Sequence, residues 1–164
     1  MGSNNYCNKL LIRLLPAVFP CLASLWAQSS TGYLTIGEPQ KIAGKPGAVV
    51  RTQIPVTVLP GYHVNSNTPS EEYLIPLKLT WNSKGALEGG EVSYPKPSME
   101  KYDFAEKPLS VFTGSFDLVA NFRVSLAAPA GPGAAAGKLR YQACSSKACY
   151  PPKTIDITVP YQVQ

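Results

Sequence analysis

The segment Tyr141–Pro152 reads YQACSSKACYPP: two cysteines with four residues between them, framed by tyrosines and closed by two prolines. Thiols at this spacing support two chemistries. They can form a covalent clip, or they can act as a two-electron couple that exchanges disulfides with other thiol proteins. A disulfide closing so short a loop removes little entropy from the unfolded chain, on the order of 2 kcal/mol, and a bridge between distant strands would remove more. The placement is a poor stabilising choice, which favours the couple and leaves the clip open. Lys147, between the thiols, favours a thiolate by its charge, although it also reads as an ordinary solvated loop lysine. Tyr141 and Tyr150 act in the opposite sense if they shield the sulfurs from water. The spacing is not the C-x-x-C of thioredoxins, and no βαβ pattern surrounds it.

Other chemistry finds little support. Zinc wants four ligands, and besides these two thiols the chain beyond residue 27 offers one histidine, His63, about 80 residues away. Copper(I) would find only Met99 as a further soft ligand there. No phosphate-binding glycine loop and no G-x-S-x-G elbow occurs. His63 reads by default as a surface or edge histidine rather than a catalytic base, and Glu71-Glu72 as a solvated turn. No metal site and no cofactor are expected.

The elements that position the cysteines read as strands. Short β-branched and aromatic runs with period-2 alternation recur between Pro, Gly and Asn clusters. They cover Tyr33–Ile36, Val49–Leu59, Tyr62–Asn65, Leu74–Trp81, Val92–Tyr94, Leu109–Val124 around Gly114, Leu139–Ala143 and Thr154–Val163. Pro55 implies an edge position or a bulge. The proline-broken segment YPKPSMEKYDFAEKP, residues 94–108, suits an irregular loop, and Pro129–Gly137 (PAGPGAAAG) a flexible connection. This pattern predicts one all-β domain, an immunoglobulin-like β-sandwich, with the cysteines between its last two strands.

The N-terminal segment sets the redox context. A cationic start (Lys9, Arg13) precedes an apolar run from Leu14 to Ala27, about 14 residues long. That is shorter than the roughly 20 a spanning helix needs, and Pro16 and Pro20 interrupt it. Residues 1–27 are therefore expected to be a cleaved secretory signal peptide, an uncleaved anchor being the competing reading. Export leaves Cys144 and Cys149 as the only mature cysteines of the four in the chain. In an oxidising compartment these two are expected to pair. Without Lys9 and Arg13, and with no acidic residue in 1–27, the formal charge falls from +5 to +3. No basic stripe remains, so nucleic acid is not an expected partner.

Together, YQACSSKACYPPKT, PGYHVNSNTPSEEYLIPLKLTW and KPLSVFTG resemble the N-terminal periplasmic domain of the thiol:disulfide interchange protein DsbD, over roughly Gly32 to Val163. The resemblance implies an immunoglobulin-like fold and a cofactor-free electron relay in the periplasm. Reducing equivalents would come from a membrane-embedded thiol reductant. They would pass to periplasmic thioredoxin-like proteins, including those of cytochrome c maturation, and to disulfide isomerases. It further implies that Cys149 forms the mixed disulfide with a partner and Cys144 resolves it. An aromatic cap over the pair would come from Lys96–Pro108, with Phe104 the first candidate and Tyr102 the alternate. His63 and Asn65, after the Gly-Tyr turn, would line the site beside Tyr150. The departures are specific. Well-studied members carry tyrosines where His63 and Asn65 stand, and some have five residues between the cysteines. Neither the transmembrane conduit nor the thioredoxin-like domain follows within these 164 residues, so a separately encoded membrane partner is expected to supply electrons. The alternative is a non-enzymatic immunoglobulin-like binding module in which the disulfide is a static clip.

Overall fold

The computed structural model describes residues 29, 30, 32–82 and 85–164. The expected signal segment, 1–27, lies outside them. Among the described residues every regular element is a strand: β1 (Ser29–Ser30), β2 (Leu34–Ile36), β3 (Ile42–Gly44), β4 (Val49–Val58), β5 (His63–Asn65), β6 (Lys78–Trp81), β7 (Leu87–Ser93), β8 (Ser98–Glu100), β9 (Leu109–Phe112), β10 (Ser115–Val124), β11 (Gly131–Tyr141), β12 (Ala143–Cys144) and β13 (Lys153–Val163). Their period-2 alternation places one face of each long strand inside. Thr52, Ile54, Val56 and Val58 point inward on β4, and Ile155, Ile157 and Val159 on β13.

Two sheets carry the core, in the orders β1-β2-β4-β10-β7 and β3-β13-β11-β6. Ile54, Val56, Leu118 and Phe122 from the first pack with Leu139, Ile155, Ile157 and Val159 from the second in one apolar cluster. The result is an immunoglobulin-like β-sandwich, as the alternation predicts. A third sheet, β12-β5-β9-β8, caps one end. It is assembled from continuations of the long strands. β4 runs on to β5 through Leu59-Pro60-Gly61-Tyr62, where Tyr62 N–H meets the Leu59 carbonyl at 3.1 Å. Proline second and Gly61 third with φ of 83° is the type II pattern. β9 enters β10 through Gly114, whose φ is 61°, and β11 passes into β12 across Gln142 alone. The end sheet therefore joins chain from both layers of the sandwich.

Three expectations are corrected. Pro129–Gly137 is not a flexible connection, because Gly131–Tyr141 is one strand paired along its whole length with β13. Its small inward residues gave no hydrophobic signal, yet they leave room for rings. A Cβ on Gly137 would lie 2.7 Å from the Trp81 ring, and one on Gly133 2.3 Å from that of Tyr161. Pro55 lies in an interior strand, between β2 and β10. It is tolerated because β2 pairs only with Val56–Val58, so Pro55 falls where that neighbour has ended; its carbonyl accepts from Gly37 N–H at 2.8 Å. The stretch Leu74–Leu77 is not strand. Leu74 and Leu77 are buried instead as anchors of the segment leading into β6. In addition, β7 begins five residues before the expected Val92, at Leu87. The ladder shifts register between Asn121 and Phe122, where Gly90, with φ of 89°, is the extra residue of a bulge.

Because Trp81 also fills the space over Gly90 and meets Phe122 edge-on at 5.0 Å, Gly137 has little tolerance for a side chain. Gly137→Ala is expected to destabilise the fold by about 1–3 kcal/mol through overpacking, read as a lower urea midpoint at unchanged m-value. An unaltered midpoint would mean that Trp81 is free to swing away.

Candidate functional site

The two cysteines close a hairpin that leaves β12. Tyr150 N–H donates to the Ala143 carbonyl at 2.8 Å and Ser145 N–H to the Ala148 carbonyl at 2.9 Å. Cys144 and Cys149 face each other between these bonds. The Ser145 hydroxyl oxygen also accepts from Lys147 and Ala148 N–H at 3.3 Å, so the four intervening residues form a self-bonded turn. The bridge is formed, with S–S 2.02 Å and Cα–Cα 3.9 Å. The two sulfur residues differ in access: Cys144 is 0% exposed and Cys149 is half-buried. Cys149 packs, with Tyr102, against a small apolar cluster of Leu74, Ala105, Leu109 and Val111.

Directly across the ladder from Cys144 stands His63. It is 2% exposed, so the expectation of a surface or edge histidine is corrected: β5 is interior in the end sheet, between β12 and β9. The Tyr102 ring stacks on the imidazole at 3.9 Å and 16°. Phe104 lies beyond, 5.8 Å from Tyr102 and 6.4 Å from His63 with its plane nearly parallel. Phe104 is the exposed member, at 38%, and belongs to neither buried cluster.

The loop bearing these rings is tied to itself. Lys101 Nζ donates to the Ala105 and Glu106 carbonyls, Ala105 N–H donates to the Tyr102 carbonyl, and the buried Ala105 plugs the small cluster. At its rim Lys107 lies 3.9 Å from Glu71. Glu100, at the end of β8, accepts from the Tyr102 hydroxyl at 2.6 Å and from the Ser98 hydroxyl at 3.0 Å. Burial pushes the Tyr102 phenol well above its usual range, and the Glu100 hydrogen bond and charge add to this. Burial lowers the proton affinity of His63, with the Glu100 charge pulling the other way.

Asn65 is wholly buried and committed to a polar hub. Its Nδ2 donates to the Ile75 carbonyl and to Gln142 Oε1, both at 3.0 Å. Gln142 Oε1 also accepts from Ile75 N–H at 3.1 Å, and its Nε2 donates to the Tyr150 carbonyl at 3.2 Å. One side chain thus ties β5, the segment before β6 and the exit of the cysteine hairpin. Tyr150 itself stacks on Tyr33 at 4.7 Å and leans on Tyr62 at 6.0 Å, while Lys153 Nζ sits 4.6 Å from the centre of the Tyr33 ring. Tyr141 is buried in the main core. His63, Tyr102, Phe104 and the two cysteines are therefore gathered at one end of the molecule, and Asn65 and Tyr150 support the neighbouring framework. Sequence reading missed Gln142, although it stands two residues before Cys144, and Glu100, which has no local signal at all.

Two outcomes follow from these contacts. Gln142→Ala leaves Ile75 N–H and Asn65 Nδ2 short of an acceptor, and is expected to cost about 2 kcal/mol, measured by urea unfolding of the oxidised protein; a change below a few tenths would show the hub to be solvated. For His63, the folded state binds its proton less readily than the unfolded state, whose ordinary value is 6.5. Stability is therefore complete above that value and falls as pH drops through it towards the lower folded value. The urea midpoint is expected to fall in this window, and His63→Gln to remove that part of the dependence. An identical pH slope in the variant would refute the assignment.

The geometry can be compared with known proteins. The family model described as thiol:disulfide interchange protein DsbD, N-terminal, matches residues 37–160. No curated protein matches the chain. Among solved structures, the N-terminal periplasmic domain of ScsB from Proteus mirabilis superposes with a TM-score of 0.58 at 12% identity, covering 83% of this chain. The chain spans only 50% of the length of that domain. The DsbD N-terminal domain of Neisseria meningitidis, in its reduced form, gives a TM-score of 0.42 at 21% identity over 69% of this chain and 82% of its own. A ScaB type I cohesin from Pseudobacteroides cellulosolvens gives 0.42 at 14%, over 80% and 92%. The ScsB likeness shows the sandwich fold alone, and the family rests on the sequence match. With residues 37–160 matched and a disulfide formed at its end sheet, the chain belongs to the DsbD N-terminal family and is a thiol–disulfide interchange domain.

Proposed function

We propose that this domain, residues 28–164 after removal of the signal peptide, is a periplasmic electron relay and the working part of a protein-disulfide reductase. The observation that carries the reading is the unequal burial of the two cysteines: Cys149 is half-buried and Cys144 wholly buried. A thiolate of the membrane-embedded reductant attacks Cys149 Sγ and displaces Cys144, and the donor's second thiol then releases the reduced pair. Next, Cys149 attacks the disulfide of an oxidised thioredoxin-like protein or disulfide isomerase, a cytochrome c maturation thioredoxin among them. Cys144 closes on Cys149 and the recipient leaves as a dithiol. Two electrons move in each half-cycle by sulfur exchange alone, without a cofactor.

The aromatic stack supports a protected state between encounters. Tyr102 and Phe104 lie over the buried His63 beside the pair, on a short loop held by Lys101. A docking partner would displace this cap to reach Cys149.

Trapping tests the assigned roles. Incubated in reduced form with an oxidised thioredoxin-like protein, Cys144→Ser, which keeps only the Cys149 thiol, is expected to accumulate the mixed disulfide and Cys149→Ser to give none. Equal trapping by both variants overturns the roles. If neither traps, and the native bridge stays oxidised in thiol buffers down to roughly −300 mV, the disulfide is a static clip.

A further inference from the structure

We infer that His63 is the proton acceptor for Cys144 when Cys144 closes on Cys149, an assignment that rests on the relay just proposed. Cys144 and His63 are Cα partners in the β5–β12 ladder. Residues directly opposite in an antiparallel pair project from the same face with Cβ atoms about 5 Å apart. The imidazole is 2% exposed, and its Nε2 is enclosed with no hydrogen-bond partner among the described residues. Leaving such a nitrogen unpaired is costly, and a native fold normally avoids it. A group that appears only in another redox state of the site, the Cys144 thiol, would use that lone pair.

Cys144 needs such an acceptor. The attacking species is the thiolate, and at 0% exposure water does not reach this residue to take its proton. The titratable groups facing His63 are few. Glu100 and Tyr102 approach from the β8 and cap side, and Cys144 from β12, while β9 (LSVF) contributes none. Glu100 already accepts from Tyr102 and Ser98, and Tyr102 is held as a phenol. His63 alone among them combines burial with an unpartnered ring nitrogen, which in the Nδ1–H tautomer offers a lone pair. Its lowered proton affinity keeps it neutral, and so able to accept, at neutral pH. The stacked Tyr102 ring fixes the plane of the imidazole.

The step balances within the reacting groups. Cys144 Sγ–H gives its proton to Nε2 as the sulfur bonds to Cys149 Sγ. The Cys149–partner S–S bond breaks, and its electron pair leaves on the partner sulfur. The proton then passes from the imidazolium to that departing thiolate or to solvent. The pair is oxidised to a disulfide and the partner is reduced to a dithiol.

The test uses the full chain with Cys7 and Cys21 replaced by serine, so that only the pair reports. The reduced protein is mixed with 5,5′-dithiobis(2-nitrobenzoate), and the thionitrobenzoate released is followed in time. The first phase reports capture at Cys149 and the second reports closure by Cys144. The second phase is expected to be level at neutral pH and to fall on the acid side as His63 protonates. In His63→Gln it slows by about 10- to 30-fold near pH 7, since an ordinary thiol is only about 3% thiolate there. It then rises about tenfold per pH unit, while the first phase changes less than twofold. Glu100→Gln, which leaves the imidazole in place, shifts the acid limb to lower pH. An unchanged second phase in His63→Gln, or an unmoved acid limb in Glu100→Gln if His63→Gln does not fold, overturns the role of His63 alone. Absence of a second phase in the parent protein overturns both this role and the relay.

Discussion

A two-residue ladder joins the layers of the sandwich at the functional end: Ala143 opposite Val64 and Cys144 opposite His63. β5 continues a strand of one large sheet and β12 continues a strand of the other, so this ladder is where the two layers become one surface. Its register decides which side chains share a face. A slip by one residue would turn Cys144 away from the imidazole and expose apolar residues in its place. Two residue pairs alone would hold such a register weakly. The Asn65–Gln142–Ile75 hub, lying just beyond the ladder, supplies the missing specificity through hydrogen bonds that only one alignment satisfies.

The same construction explains the asymmetry of the disulfide. Cys144 belongs to a strand and is wholly buried beside β5, whereas Cys149 comes after the turn and packs half-buried against the small apolar cluster. A tight hairpin thus presents one sulfur and hides the other with no large rearrangement. The short sequence separation that makes the bridge a weak staple is what allows both sulfurs to be held at one surface point.

Electrostatics at the site are arranged by burial more than by charge. The cationic Lys147 in the hairpin is exposed. Closer in, Glu100 is the one acid coupled to the buried imidazole, and it acts both through space and through the Tyr102 phenol. Two opposing influences on His63, desolvation and the Glu100 carboxylate, allow modest changes in the cap to alter its protonation. Tyr102 is therefore both stacked on the buried imidazole and hydrogen-bonded to the acid that acts on it.

Much of this was legible in the chain. Alternating β-branched and aromatic residues gave the strands, because period-2 patterning follows directly from the pleat. Two cysteines six positions apart inclusive, bordered by turn-forming residues, announced a disulfide at a strand's edge. Where the reading failed, the signal was absent or long-range. The inward face of β11 up to Gly137 is glycine and alanine, so that half carries little hydrophobicity of its own; it is a strand through its pairing with β13, with Trp81 and Tyr161 occupying the space above the glycines. Pro55 sits in an interior strand only because β2 is short. The sequence by itself determined the fold class and the paired cysteines, since both are encoded by neighbours along the chain. Only the tertiary structure decided that His63 is buried opposite Cys144, that Glu100 holds Tyr102, and that Gln142 ties the hairpin to β5. Those pairings join segments tens of residues apart, and they follow from sheet register and loop closure rather than from local pattern.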